Sequence, residues 1–308
     1  MDVLKRCVDL ILLPFVYPAA WLMKFVRRAG VHNLRLCRAA LLQVGVFPIR
    51  SHYYEPQFDH GPIDHSRSLP GIDWKVREQL ALLDRLVYAS ELDDLPMQPT
   101  GSTSFYLRNS TFGPCDAEYW YQLLRAIKPR RIIEVGSGYS TLMARRALDK
   151  NLADDPSYRC EHTCIQPFEM PWLEQVNVRV VRQKVEDVDV AIFSQLQEND
   201  ILFIDSSHII RPHGDVLFEY LEVLPRLAQG VIVHIHDFFS PRNYPDRWLR
   251  EEVRFWNEQY LVEAFLSHNK DWRILGALNY LVVHHYDRLK AVTPYLENAA
   301  GSLYIQRC

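Results

Sequence analysis

Two short stretches late in the chain carry residue types that can bind a metal ion or accept a proton. Asp205 and His208 follow one apolar run, and His236 and Asp237 close a second one. Carboxylates and imidazoles are metal ligands, and a histidine titrates near neutral pH. If both runs are neighbouring parallel strands, their carboxyl ends open into one crevice. We therefore expect Asp205, His236 and Asp237 to bind a divalent cation, beside a catalytic pair formed by Asp205 and the candidate base His208.

Each of these residues also has a structural interpretation. Asp205 can cap a loop, and strand-end histidines can hydrogen-bond the backbone. His213 is a second candidate base, although its place near a predicted helix start also suits a cap region. His234 lies two residues before His236, on the same face of a strand. Oxygen ligands favour Mg²⁺, whereas a histidine ligand shifts the preference toward Mn²⁺, Fe²⁺ or Zn²⁺.

A glycine-rich turn, in the segment RIIEVGSGYST, is the strongest local pattern upstream of these residues. A buried strand ends at Glu134, Gly136 and Gly138 turn the chain, and a helix is predicted to follow. The glycines let the backbone approach a ligand, and the helix start offers free N–H groups. Thr141 stands where a dinucleotide-binding loop has its third small residue. We expect a nucleotide-like ligand with an amine or cationic group; a turn without a ligand is the alternative.

The elements that must position these residues alternate regularly from residue 130 onward. Short β-branched runs are separated by helical stretches or helical turns, an alternation that predicts a parallel sheet covered on both faces. The predicted strands are 131–135, 162–166, 177–181, 200–204 and 230–235, with further candidates at 271–284 and 302–306. The predicted helices or helical turns are 73–90, 116–127, 139–149, 169–175, 188–197, 213–228 and 246–268.

The N-terminal region is unusually apolar. Residues 7–26 have the length of a membrane span, but Asp9, Pro14 and Pro18 interrupt them and basic residues stand at both ends. A signal-peptide cleavage site is not evident. A second segment, 34–47, is amphipathic. We expect a helical pair lying in a membrane interface; packing against the soluble domain or within a homodimer, and a true span, are the alternatives.

Composition limits the remaining possibilities. The chain has 308 residues, of which 48% are hydrophobic and 24% charged, with a net charge of −3. This is globular composition without the basic excess of a nucleic-acid-binding protein. Six dispersed cysteines fit a reducing compartment, and the pair Cys160 and Cys164 lacks the second pair that a zinc site needs. We expect a cytoplasmic protein, placed on the inner face of a membrane if the N-terminal helices bind lipid.

Three motifs carry a resemblance to a known family. The first is EVGSGYST, followed by FIDSSH at 203–208 and VIVHIHDFF at 231–239. They resemble class I S-adenosylmethionine-dependent methyltransferases, in particular the small-molecule, catechol O-methyltransferase-like branch. The resemblance implies a doubly wound α/β fold: a seven-stranded, mostly parallel, Rossmann-like sheet of order 3-2-1-4-5-7-6. It covers residues 109–308, so we expect a helical N-terminal extension over residues 1–108.

The resemblance also implies which residues bind S-adenosylmethionine. Gln166 would take the ribose hydroxyls where such enzymes often have Glu, and its carbonyl can accept one hydrogen bond. His208 sits where catechol-type enzymes carry a basic lysine. Where that branch has Asp, Asp and Asn around a metal, this chain has Asp205, His236 and Asp237. The implied cofactor-binding residues are Glu134, Gly136, Ser137, Gly138, Tyr139, Ser140, Gln166, Glu186, Asp187 and Asp205.

The sequence thus predicts a methyltransferase acting on the hydroxyl of a small molecule, a saccharide or a lipid-linked acceptor. One alternative is a non-catalytic scaffold with this fold, favoured by Gln166. A second is a nicotinamide-dependent oxidoreductase, which would need a third glycine and an acid about 20 residues beyond the loop. The candidates for the acceptor pocket are Tyr53, Tyr54, Glu55, Trp120 and Phe238.

Overall fold

A computed structural model describes residues 3–49, 63, 65–252, 254–297 and 300–308. The chain forms two compact units, Met1–Ile63 and Asp64–Cys308. This division lies earlier than the predicted boundary at 108. The segment between the two positions packs against the sheet and supplies side chains to its core. Leu92 and Leu107 are completely buried in that core.

The first unit contains the two predicted helices. Helix α1 spans Val3–Ala29 with Pro14 and Pro18 inside it, and α2 spans Arg35–Val44. By length and composition, the part from Leu4 onward is apolar enough to cross a membrane. Its apolar side chains are exposed from Leu4 to Leu22, whereas Val26 is buried. The exposed ones include Leu10, Ile11, Phe15, Val16, Tyr17, Trp21 and Leu22.

The second unit is built on a seven-stranded sheet. Its strands are β1 (Arg131–Val135), β2 (Glu161–Ile165), β3 (Arg179–Val181), β4 (Ile201–Ile204), β5 (Ile232–His236), β6 (Trp272–Ala277) and β7 (Ser302–Arg307). The order is β3-β2-β1-β4-β5-β7-β6, with β7 antiparallel to both neighbours. The predicted order is confirmed. The candidate strand at 271–284 is wrong in its second half, which is helical.

Helices cover both faces of this sheet. They are α3 (Val76–Leu83), α4 (Asp116–Ile127), α5 (Tyr139–Asp154), α6 (Asp215–Phe218), α7 (Glu258–Leu266), α8 (Leu278–His284) and α9 (Tyr286–Val292). Helix α6 continues into a π-helical turn, Glu219–Val223, and a second π-helical turn spans Arg247–Glu251. The stretches predicted at 169–175 and 188–197 form only short 3₁₀ turns.

The side chains of β4 alternate between two apolar layers, one on each face of the sheet. Ile201 and Phe203 belong to one core cluster, whereas Leu202 and Ile204 belong to the other. Burial on both faces, together with parallel pairing to β1 and β5, places β4 in the centre of the sheet. The carboxyl end of the strand, where Asp205 follows, is therefore held in a fixed position.

Candidate active site at the carboxyl edge of the sheet

The two glycines of the loop after β1 have different structural requirements. Gly136 has a φ of +79°, and a Cβ there would stand 2.0 Å from the backbone oxygen of Asp205. Asp205 also donates its N–H to the oxygen of Val135 at 2.9 Å. Gly138 is extended and has open space where a Cβ would stand. The first glycine is thus required by the close approach of β1 and β4, and the second leaves the loop open.

The carboxylate of Glu134 lies beneath this loop, fully surrounded by donors. It accepts hydrogen bonds from Ser140 Oγ at 2.6 Å, Thr141 Oγ1 at 2.8 Å and His162 Nε2 at 2.9 Å. The thiol of Cys164 donates to it at 3.5 Å. Glu134 and Ser140, both predicted to bind the cofactor, therefore have buried side chains that contact each other and do not line the cavity above the loop. Both residues fix the start of α5 against β1 and β2 from below.

A cavity of about 380 Å³ opens above the loop, where β1, β2 and β4 end. Five of the predicted cofactor residues line it: Gly136, Ser137, Gln166, Glu186 and Asp205. Phe168, Lys184, Ser206 and Arg211 are among the other residues that line it. Gly138, Tyr139 and Asp187 do not line it; the hydroxyl of Tyr139 instead meets that of Tyr106 at 3.1 Å.

The predicted metal ligands and the predicted base meet at one side of this cavity. His208 Nε2 lies 3.2 Å from Asp205 Oδ1 and 3.5 Å from Asp237 Oδ2. His236 Nδ1 lies 3.5 Å from Asp205 Oδ1 and 3.7 Å from Asp237 Oδ1. His208 and Asp237 both have φ values in the left-handed region, +60° and +54°. Strained backbone of this kind concentrates at functional sites.

The other side of His208 is held by a residue that sequence reasoning missed. Its Nδ1 is 2.7 Å from Oε2 of Glu258, the first residue of α7. Tyr220 donates its hydroxyl to the second oxygen of Glu258 at 2.8 Å, and the Trp256 ring lies 4.2 Å from the imidazole. Glu258 is buried. No local pattern links positions fifty residues apart, so only the fold reveals this pair.

Electrostatics within the cluster favour positive charge. Burial opposes a charge on His208, but hydrogen bonds to Asp205 and Glu258 raise its pKa well above the ordinary value. Burial also opposes a charge on His236, yet Asp237 and Asp205 raise its pKa to about 9. Burial would raise the pKa of Asp205, but His236 and His208 hold it well below the ordinary value. Burial raises the pKa of Asp237 to about 6.

The remaining sequence candidates lie elsewhere. Trp120 and Phe238 are core residues with 1% exposure, so their predicted place in an acceptor pocket is wrong. His234 is buried and bonded to Ser302 Oγ at 2.9 Å. His213 is exposed, with a φ of +53° just before α6. The candidates at 53–55 fall outside the described residues.

Comparison with known proteins agrees with this architecture. Residues 133–238 match a family described as "Methyltransferase domain". An uncharacterized protein of Archaeoglobus fulgidus is 31% identical over 138 residues, which is 42% of this chain and 61% of the archaeal protein. The chain thus matches less than two thirds of that relative. The family match, together with the observed strand order, confirms the predicted class I methyltransferase fold.

Solved structures resemble the chain more distantly. An O-methyltransferase from Bacillus cereus, crystallised with SAH, is 13% identical, with a TM-score of 0.36. The likeness covers 75% of this chain and 90% of that one. The MycE methyltransferase of mycinamycin biosynthesis, crystallised with Mg, SAH and mycinamycin VI, is 12% identical, with a TM-score of 0.33. That likeness covers 61% of this chain and 48% of that one.

Proposed function

We propose that this chain, whose residues 133–238 match a methyltransferase domain family, transfers the methyl group of S-adenosylmethionine to a hydroxyl oxygen. One observation carries the proposal: Asp205 lines the cavity above the glycine loop and also contacts His208. A cofactor site and a group able to take a proton therefore share one wall. Methyl transfer to oxygen needs both, because the donor methyl must meet an acceptor that is losing its proton.

The cavity suits an adenosyl ligand in size and lining. Its volume of about 380 Å³ lies within the range of small-molecule sites. We expect backbone N–H groups after Gly136 to face the methionine end of the cofactor and Gln166 to accept a ribose hydroxyl. Lys184 and Glu186 would lie beside the adenine. Gln166 lacks the charge of a carboxylate, so this contact supports ribose binding more weakly than Glu would.

The acidic end of the site fits a divalent cation. The buried Nδ1 of His236 supports this fit, because it makes no hydrogen bond among the described residues and faces two carboxylates. Asp205, Asp237 and His236 would hold the ion. When bound, such an ion lowers the pKa of an acceptor hydroxyl.

His208 is the proposed base, positioned by Glu258. Because Nδ1 donates its proton to Glu258, Nε2 is the nitrogen left to accept one. The surrounding carboxylates hold a proton on His208, so it becomes a base only once their charge is offset. In the reaction the acceptor oxygen attacks the methyl carbon in line with sulfur. The new C–O bond forms, the C–S bond breaks with its electrons on sulfur, His208 takes the proton, and S-adenosylhomocysteine leaves.

Labelled cofactor tests the reaction without a known acceptor. The full chain is incubated with methyl-tritiated S-adenosylmethionine and a lipid and metabolite extract of the source cells. We expect a labelled product with wild type and not with His208→Ala, and release of the label by hydriodic acid as methyl iodide, as from a methyl ether. Cofactor binding with no His208-dependent label would instead support the scaffold alternative.

We also propose that the N-terminal unit binds an anionic membrane surface. Residues 1–49 contain seven Lys or Arg against two Asp, a net charge of +5, while the whole chain carries −3. Five of the cations lie near the two ends of α1, whose apolar side chains are exposed from Leu4 to Leu22. A helix of this kind is stable in a lipid interface, where basic residues meet anionic head groups. The cations are Lys5, Arg6, Lys24, Arg27, Arg28, Arg35 and Arg38.

Vesicle co-sedimentation tests this location. We expect the full chain to bind phosphatidylglycerol-containing vesicles more tightly than pure phosphatidylcholine vesicles, with weaker binding at high salt. Reversing Lys24, Arg27 and Arg28 to Glu should weaken binding at least 100-fold, at about 1 kcal/mol per charge removed. Reversing Lys128 and Lys270, two exposed cations of the sheet unit, is the control and should change little. Equal binding to both vesicles, or none, contradicts the proposal.

A further inference from the structure

The imidazole of His236 lies beside two carboxylates without a short hydrogen bond to either of them. The residue is 4% exposed, and its Nδ1 is buried with no hydrogen-bond partner among the described residues. The nearest acceptors are carboxylate oxygens of Asp205 at 3.5 Å and Asp237 at 3.7 Å. Both distances exceed those of a well-formed N–H···O bond. At these distances a metal ion can lie between the buried nitrogen and the two carboxylates.

Two aromatic rings hold the imidazole in this orientation. Phe112 lies 5.0 Å from it, and Phe203 lies 6.5 Å away with nearly parallel rings. The backbone of His236 is paired with Ser302 in β7, so the residue belongs to the sheet and not to a loop. His234 lies on the same face of β5, and its Nε2 is hydrogen-bonded to the Ser302 hydroxyl. Nδ1 of both histidines is buried without a hydrogen-bond partner among the described residues, but only that of His236 faces the carboxylates of Asp205 and Asp237.

We infer that His236 is a nitrogen ligand of the cation site and makes it select Mn²⁺ or Fe²⁺ over Mg²⁺. The inference rests on the proposed function only in that a cation binds Asp205 and Asp237. Mg²⁺ requires near-ideal octahedral oxygen ligands and gives up water reluctantly, whereas imidazole is a good ligand for transition ions.

Calorimetric titration of the full chain with Mn²⁺ and Mg²⁺ tests the selectivity. We expect wild type to bind Mn²⁺ at least tenfold more tightly than Mg²⁺. His236→Asn supplies an amide oxygen instead of nitrogen, so it should lose at least tenfold in Mn²⁺ affinity and no more than about twofold in Mg²⁺ affinity. His234→Asn is the matched control on the same strand and should keep the wild-type ratio.

Pulsed EPR of bound Mn²⁺ detects nitrogen ligands directly and does not depend on activity. We expect nitrogen modulation in wild type and in His208→Gln, and its loss in His236→Asn. Modulation lost in His208→Gln and kept in His236→Asn would overturn the inference, as would equal affinities for the two ions. If neither ion binds while S-adenosylmethionine does, cation assistance in the proposed function fails as well.

Discussion

His208 Nδ1 and Glu258 Oε2 lie 2.7 Å apart, joining the end of β4 to the start of α7. Glu258 does not line the cavity, and it reaches the carboxylates of Asp205 and Asp237 only through the imidazole of His208. Its carboxylate fixes which nitrogen of His208 carries the proton. Glu258 is therefore a positioning residue for the base.

Glu258→Gln should lower kcat by about 10²-fold or more while leaving the KM for S-adenosylmethionine unchanged, because a general base contributes 10²–10⁴-fold. Tyr220→Phe removes only the second hydrogen bond to Glu258 and should cost a few-fold at most. Steady-state kinetics of both variants make the comparison. A Glu258→Gln enzyme with wild-type kcat would contradict the role given to His208.

Gly136→Ala and Gly138→Ala form a matched pair in the same loop. Gly136→Ala forces a Cβ to 2.0 Å from the Asp205 oxygen at a φ of +79°. We expect it to lower the free energy of unfolding by about 2 kcal/mol or more and to abolish cofactor binding. Gly138→Ala meets open space at an extended φ and should stay within about 1 kcal/mol of wild type. Urea unfolding measures the stability of both variants, and calorimetry measures their binding of S-adenosylmethionine. Equal effects of the two substitutions would contradict the different roles assigned to the two glycines.

The hydrogen bond from His162 to Glu134 predicts an indirect effect on the cofactor site. His162→Leu removes a donor from a buried carboxylate, which should cost about 1–3 kcal/mol of stability. Because Glu134 also holds Ser140 and Thr141 at the start of α5, S-adenosylmethionine should bind more weakly. His162→Gln restores an N–H donor and should recover part of both losses. Unchanged binding in a destabilised His162→Leu protein would show that Glu134 does not position the loop.

The frame of this site was predictable from local patterns, whereas the direction of its side chains was not. Strand runs and the glycine turn located the carboxyl edge of the sheet, and parallel order then brought Asp205 and Asp237 together. Glu134 belongs to the glycine-loop motif, but the hydrogen-bond donors that orient its carboxylate away from the cavity come from β2 and α5. Trp120 looked available for an acceptor, although its ring packs against Phe203 in the core. Burial of this kind depends on contacts distant in sequence.

Arg125 predicts a pH-dependent contribution to stability. It is 3% exposed and bonds Glu91, in a turn before α4, and Asn151 and Asp154, both in α5. Arg125→Met leaves the buried Asn151 and the half-buried Glu91 without this donor, and should cost about 1–3 kcal/mol at pH 7. Burial would raise the pKa of Glu91, but Arg125 and Tyr121 lower it. A lowered carboxyl pKa stabilises the fold above the unfolded-state pKa, and this stabilisation disappears as pH falls through the folded-state value.

The stability difference between wild type and Arg125→Met should therefore shrink as the pH is lowered from 7 to about 3.5. Urea unfolding at both pH values measures it, with exposed Arg226→Met as the control. A difference that grows on acidification would have the wrong sign for this ion pair.

Calorimetric titration with S-adenosylmethionine and S-adenosylhomocysteine tests the central claim, that the cavity between β1, β2 and β4 is a methyl-donor site. We predict micromolar binding of both ligands to wild type, binding to Gly138→Ala, and none to Gly136→Ala. Absence of binding to wild-type protein at millimolar ligand would contradict the account and leave the fold as a scaffold without a cofactor.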